Sequence, residues 1–306
     1  MWANSRRRRD RVDRHLPGRT LNAVPRELAG GGQNGRVPSE KFSVDRGTAV
    51  LAAERWPGNG QPVVLLHAGV ADRRSWRGVA EALQPRTSVV AYDMRGYGET
   101  TAVTYGFTHL DDLRAVLDQV ATGPVWLVGS SMGGELAIDA ALSDPDRVAG
   151  LVLLAPSVSG APEPMEVDSD TERLVQLWEA AQTSGDIDEV NRIEMWLWLD
   201  GPSAPEGRVS GPVRTLALEM NAVALKNEMP EESGKSGLAA WSRLEEIAVP
   251  VIVACGDLDL PFVVSRSKEL CDWLPDAQHH VLPGVAHLPY LENPAMIAEL
   301  ISSSLR

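Results

Sequence analysis

Cysteine is nearly absent from this chain: Cys255 and Cys271 are the only two, in separate predicted elements. Neither has the paired spacing of a zinc site or a redox dithiol, so no metal or disulfide framework organises the fold, and two buried reduced thiols are expected. Long apolar runs are also missing. The strongest, Val148 to Pro156, is far short of the roughly 20 residues that cross a bilayer. Arg6-Arg7-Arg8-Arg9 is followed by polar Asp10-Arg11-Val12-Asp13-Arg14 rather than by an apolar stretch. A secretory or twin-arginine signal is therefore not read, and the expectation is a cytoplasmic protein with no membrane span. No internal repeat occurs. Basic charge is scarce outside one end: residues 1–40 carry nine arginines against four acids, while the whole chain has a net charge of −13. The strongly acidic remainder has no basic face to neutralise phosphates, which sets nucleic acid aside as a partner.

The 306 residues divide by pattern. Residues 1–38 combine the arginine run with Pro17-Gly18, Gly30-Gly31-Gly32 and little apolar periodicity, and are read as a disordered basic tail. Phe42 to Val44 and Ala49 to Arg55 form a predicted hairpin around Asp45-Arg46-Gly47. Beyond it, short apolar runs alternate with helical periodicity. The predicted strands are Val63–Leu66, Ser88–Tyr92, Val125–Gly129, Val148–Ala155, Pro250–Cys255 and Ala277–Leu282. Helices are predicted at about Arg73–Leu83, at Thr108–Val120 behind a capping-box signature, from Met132 to Leu142, from Val263 to Trp273 and from Pro294 to Ser303. Such alternation implies a mostly parallel sheet with helices on both faces and functional loops at the carboxyl ends of the strands. Between Ser157 and Val249 the strands stop. Helical patterns at Thr171–Gln182, Ile187–Leu199 and Val213–Lys226, separated by proline and glycine breaks, are read as a helical insertion. The division is thus 1–38, a core of 39–156 plus 249–306, and an insertion at 157–248.

Chemistry concentrates in the loops that follow strands. Gly129-x-Ser131-x-Gly133 lies between a buried strand and a helix, the context that a nucleophile elbow needs. Its glycines permit a turn too sharp for a Cβ, and the helix start points amide hydrogens and the positive dipole end at Ser131. Ser131 needs a base. His287 follows the last strand in a glycine-rich loop, and Asp259 follows the strand before it, placed to hold the imidazole. Asp257 is the alternative acid. Ser130 lacks flanking glycines at both −2 and +2. His67 reads as a packed structural histidine, His279 and His280 as strand residues, and His109 as a first-turn helix residue. Asp93 and Arg95 read as loop braces.

On these residues the chain resembles the α/β-hydrolase superfamily from about residue 40 to the end. The matching pieces, in order, are His67-Ala68-Gly69, Asp93-x-Arg95-Gly96-x-Gly98, the Ser131 elbow, Gly256-x-x-Asp259 and Gly284-x-x-His287. Within the superfamily it is similar to small capped hydrolases such as 3-oxoadipate enol-lactonases, carboxylesterases and cofactor-free haloperoxidases. One departure is Ala68, where the family usually has glycine; its methyl is expected to alter the oxyanion loop. The resemblance implies an eight-stranded α/β-hydrolase fold with a helical cap. It implies a Ser131–Asp259–His287 triad, an oxyanion hole from the backbone amides of Met132 and Gly69 (with Val70 the nearby alternative), and no metal or organic cofactor.

The implied activity is hydrolysis of a small carboxylic ester or lactone through an acyl-enzyme on Ser131. A carbon–carbon bond hydrolase with the same triad is the alternative, and a triad-retaining, receptor-like ligand-binding protein is a third reading. Met195, Trp196 and Trp198, large apolar residues of the insertion, are candidate linings of a small-molecule pocket. Oligomeric state is not legible.

Overall fold

The computed structural model describes residues 37–163, 167–227, 229–230 and 233–305. The expected basic tail lies, up to residue 36, outside the described residues. Eight strands form the sheet: β1 (Glu40–Asp45), β2 (Ala49–Trp56), β3 (Val63–Leu66), β4 (Val89–Tyr92), β6 (Val125–Ser130), β7 (Val148–Leu154), β8 (Val251–Gly256) and β9 (Ala277–Leu282). Their spatial order is β1-β2-β4-β3-β6-β7-β8-β9, and a two-residue strand, β5 (Thr101–Ala102), pairs beside β2. The β2 strand runs antiparallel to β1, β4 and β5; all pairings from β4 onward to β9 are parallel. The hairpin turn has Gly47 at φ +70°, a left-handed backbone that suits glycine.

The central strands are apolar at every position because both faces are covered. Their side chains alternate: Val64, Leu66, Leu127, Leu151 and Leu153 enter one core cluster, while Val63, Leu65, Val128, Val152 and Leu154 enter the other. The first face is covered by α2 (His109–Val120), α3 (Met132–Ser143) and α7 (Pro261–Trp273). The second is covered by α1 (Arg77–Leu83), α8 (Pro289–Glu292) and α9 (Pro294–Ser304). Thr108 caps α2 as its sequence signature implies, its hydroxyl accepting from Asp111 N–H at 3.0 Å; such a cap is worth about 1 kcal/mol. The helix expected at Arg73 begins as a 3₁₀ turn, Arg73–Trp76, before α1.

Between β7 and β8 stand the cap helices α4 (Ser169–Ser184), α5 (Ile187–Met195) and α6 (Pro212–Lys226). The helix expected to continue to Leu199 changes pitch: Trp196–Asp200 is a π turn, closed by Gly201 N–H donating to the Trp196 carbonyl at 3.0 Å. The cap is not a loose lid. Met195, Leu199, Ala217 and Met220 bury in the same cluster as Trp76 and Tyr290 of the core, and Gly35–Arg306 is one compact unit. Among the described residues no helix is long and apolar enough to cross a membrane. Both cysteines are free, but only Cys255 is fully buried; Cys271, in the last turn of α7, packs partly buried against the core.

Candidate active site

Strand β6 delivers Ser131 to the carboxyl edge of the sheet, and α3 begins one residue later. Ser131 holds φ +50°, ψ −114°, a conformation that costs on the order of 1–3 kcal/mol in a non-glycine residue. Its neighbours enforce it. Ser131 N–H donates to the Leu154 carbonyl at 3.0 Å, and its own carbonyl accepts from Gly134 N–H at 2.9 Å and Ser157 N–H at 3.1 Å. A Cβ on Gly129 would lie 2.2 Å from the Gly133 carbonyl oxygen, and one on Gly133 2.2 Å from that of Leu66. Both glycines are therefore required by backbone approach.

His287 and Ser131 line one pocket, and His287 Nδ1 lies 2.8 Å from Asp259 Oδ2. The other carboxylate oxygen accepts from Leu260 N–H at 2.7 Å, and the Cys255 thiol reaches Oδ2 at 3.5 Å. Asp259 and His287 are both buried. The rival acid, Asp257, is exposed and accepts instead from Gly284 N–H at 2.7 Å, where it fastens the start of the His287 loop. Ser130 is fully buried with its hydroxyl unpartnered and is not among the residues that line the pocket with Ser131.

The loop after β3 comes to the same place. A side chain at Gly69 would meet the Tyr97 hydroxyl and the Met132 sulfur at 3.6 and 3.9 Å, so Gly69 and Met132 are neighbours. Met132 is the first residue of α3, so its amide has no carbonyl one turn back to bond. His67 fixes this loop. Met94 N–H donates to its Nε2 at 3.1 Å, which makes Nε2 the unprotonated nitrogen; Nδ1–H then donates to the Ala68 carbonyl at 2.9 Å. Burial holds its pKa below the usual histidine value. A neutral imidazole thus ties the loop after β3 to the loop after β4. The Ala68 methyl is buried in the core cluster with Trp76 rather than facing the pocket.

Asp93 and Arg95 are braces. Asp93 accepts from the amides of Arg73 (2.8 Å) and Glu99 (2.7 Å) and pairs with the Arg73 guanidinium. Arg95 makes a bidentate pair with Asp112, at 2.6 and 2.9 Å, and lies over the Phe107 ring. His109 opens α2, and burial lowers its pKa to about 4. His279 and His280 lie on β9 and do not line the pocket that Ser131 and His287 share.

The pocket above Ser131 holds about 220 Å³ and is lined by Val158, Trp198, Phe262, Val263 and Arg266, among others. Of the three cap residues expected there, the structure brings one. Trp198 lies over His287 with ring centroids 4.7 Å apart. Met195 is fully buried in the core, and Trp196 donates to the Ala204 carbonyl at 2.9 Å beneath the Arg173 guanidinium. The π turn is the reason: it changes which faces Met195 and Trp198, three apart, present. Arg266 of α7 was not singled out in the sequence, and no local pattern marks it.

A mostly parallel sheet with a serine, an acid and a histidine in that chain order after β6, β8 and β9 is a hydrolase architecture. Residues 61–294 match the family model described as alpha/beta hydrolase fold, and the chain belongs to that family. It is 28% identical over 276 residues to the putative 2-succinyl-6-hydroxy-2,4-cyclohexadiene-1-carboxylate synthase of Bacillus subtilis, covering 86% of this chain and 97% of that one. It is 28% identical to a pimeloyl-[acyl-carrier protein] methyl ester esterase of Yersinia enterocolitica (78% and 91% covered). It is 27% identical to the 2-hydroxy-6-oxo-6-phenylhexa-2,4-dienoate hydrolase of Burkholderia cepacia (77% and 84%). Among solved structures it is similar to a thermophilic esterase from Thermogutta terrifontis, at 25% identity and a TM-score of 0.66, covering 87% of this chain and 98% of that one.

Proposed function

We propose that this protein is a serine hydrolase that cleaves a small carboxylic ester or lactone through an acyl-enzyme on Ser131. The observation that carries the reading is the Asp259–His287 hydrogen bond in a pocket that also presents Ser131. In this reading Ser131 Oγ attacks the acyl carbon while His287 Nε2 takes its proton. The amides of Met132 and Gly69 hold the oxyanion, and each such donor is worth roughly 100- to 1,000-fold in rate. The leaving alkoxide receives the proton from His287, and water, activated by the same imidazole, releases the acid. The 220 Å³ pocket, walled in part by Val158, Trp198, Phe262 and Val263, suits a short acyl group.

Similarity to a 2-hydroxy-6-oxo-dienoate hydrolase favours one second reading, attack on a ketone with cleavage of a carbon–carbon bond. The test is turnover of p-nitrophenyl acetate and butyrate beside a 2-hydroxy-6-oxo-dienoate, with wild type and Ser131→Ala. The expected result is ester turnover that falls about a thousandfold or more in the variant. Equal rates in the two proteins would overturn the nucleophile assignment. Dienoate cleavage exceeding ester cleavage in kcat/KM would install the second reading, and a single stoichiometric burst without turnover would favour a ligand-binding role.

A further inference from the structure

The segment between the π turn and α6 is wound around one buried carboxylate. Asp200 is fully buried; its Oδ1 accepts from Val209 N–H at 2.9 Å, and its Oδ2 from Gly207 N–H at 2.8 Å and Arg214 at 2.6 Å. This winding aims Arg208 from the cap toward the core. Its Nε–H donates to the Asp200 carbonyl at 2.7 Å, and one terminal nitrogen donates to the Leu199 carbonyl at 2.8 Å. That same nitrogen lies 2.6 Å from Glu292 Oε2, while the other donates to the Gly284 carbonyl at 3.2 Å. Four of the five guanidinium hydrogens are thereby engaged, in a planar geometry that lysine cannot copy.

Glu292 completes the connection. Its second oxygen accepts from Ala286 N–H at 2.7 Å, immediately before His287. The Glu292 side chain is 5% exposed. Burial pushes its carboxyl above the usual range, and the Ala286 amide and Arg208 pull it back. The loop ending in His287 is therefore held at Gly284 and at Ala286 by one ion pair. On the cap side, that pair grips the two carbonyls directly after Trp198, whose ring lies over the imidazole.

We propose that Arg208 and Glu292 are positioning residues that register the cap on the His287 loop, so that seating the cap and placing the general base are one event. The proposal rests on the triad reading above. Neither residue touches the pocket; each acts through the backbone of His287's own loop. A misplacement of about 1 Å in a catalytic group costs on the order of a hundredfold in rate, so modest slack in this bridge should register in kcat.

The experiment compares wild type with Arg208→Met, Glu292→Gln and the double variant. The readouts are turnover of p-nitrophenyl acetate and the rate at which a fluorophosphonate labels Ser131, each normalised to the sites finally labelled, together with Tm. Arg208→Met should slow per-site labelling and kcat by about ten- to a hundredfold, with KM nearly unchanged. Glu292→Gln keeps an acceptor for Ala286 N–H and should lose about fivefold or more; it carries the comparison if Arg208→Met does not fold. The double variant removes the buried, unpaired carboxylate, so Tm should recover while labelling stays slow. Unchanged per-site rates in both single variants, or a rate that recovers with Tm in the double variant, would overturn the proposal and leave the pair a structural clamp. Ser131→Ala, run alongside, must abolish labelling; labelling that survives it overturns the triad reading itself.

Discussion

Replacing Asp259 by asparagine tests the site most sharply, because the two oxygens of Asp259 have different obligations. Oδ1 accepts from Leu260 N–H at 2.7 Å, and Oδ2 faces His287 Nδ1 at 2.8 Å. Asparagine can satisfy only one of them as an acceptor. If its carbonyl stays on Leu260, its NH₂ faces Nδ1 and the imidazole proton moves to Nε2, where the base must be empty to take the Ser131 proton. If the amide flips, Nδ1–H is accepted but two donors confront each other at Leu260. The reactive state needs the flipped form, with a buried N–H unsatisfied at a cost of about 1–3 kcal/mol. Exchanging a carboxylate for a neutral carbonyl beside the forming imidazolium loses about 1–2 kcal/mol more. The sum, about 2–5 kcal/mol, corresponds to roughly thirty- to five-thousandfold in kcat/KM. The assay is p-nitrophenyl acetate hydrolysis by Asp259→Asn, with Asp257→Asn as control; the control keeps an acceptor for Gly284 N–H and should fall by no more than about threefold. A loss under about tenfold in Asp259→Asn, or an equal loss in both, would refute the reasoning.

Two further outcomes follow from Gly133 and His109. Gly133→Ala sets a Cβ 2.2 Å from the Leu66 carbonyl oxygen and 2.8 Å from that of His67. Neither atom can swing aside, so the elbow must shift against the loop after β3, costing about 1–3 kcal/mol in urea denaturation and reducing ester turnover at least tenfold. His109 has a folded-state pKa lowered to about 4 by burial. Between that value and about 6.5 the unfolded chain binds the extra proton, so stability falls as pH drops through this window. The carboxyls of Glu135, Asp139 and Glu292, raised by desolvation, act with the opposite sign in acid. The difference in unfolding free energy between wild type and His109→Gln should therefore shrink on acidification from pH 7 to 4.5; a pH-independent difference would refute the assignment.

Much of the frame could be read from residues alone, for a physical reason. A strand buried on both faces must be a continuous apolar run, and the polar residues at its end must then belong to a loop. That reasoning places Ser131, Asp259 and His287 on one edge of the sheet before any coordinates are known. Tight backbone approach is equally legible, since glycine is the only residue that permits it at positions 129 and 133. What eludes local reading is contact that depends on the phase of a helix or on distant partners. The π turn at Trp196–Asp200 breaks the 3.6-residue period, so size and apolarity alone could not tell Trp198, which reaches the pocket, from Met195 and Trp196, which do not. Arg208 and Glu292 sit in unremarkable surroundings, and only the folded chain puts them together. Arg266 likewise enters the pocket from a helix whose spacing advertises nothing.

The shared burial of cap and core bears on how such a molecule can change. Met195, Leu199 and Met220 each hide in the cluster that also holds Trp76 and Tyr290. At about 1.5–3 kcal/mol for each buried side chain, these three alone represent about 5–9 kcal/mol, comparable with the whole stability of an ordinary domain, about 5–15 kcal/mol. Such a cap is a poor interchangeable part. Excising or swapping it would unravel the sheet's own packing, so a lineage built on this chain would acquire new substrates through single replacements on the pocket wall, at positions such as Val158 or Phe262, rather than through the exchange of a module.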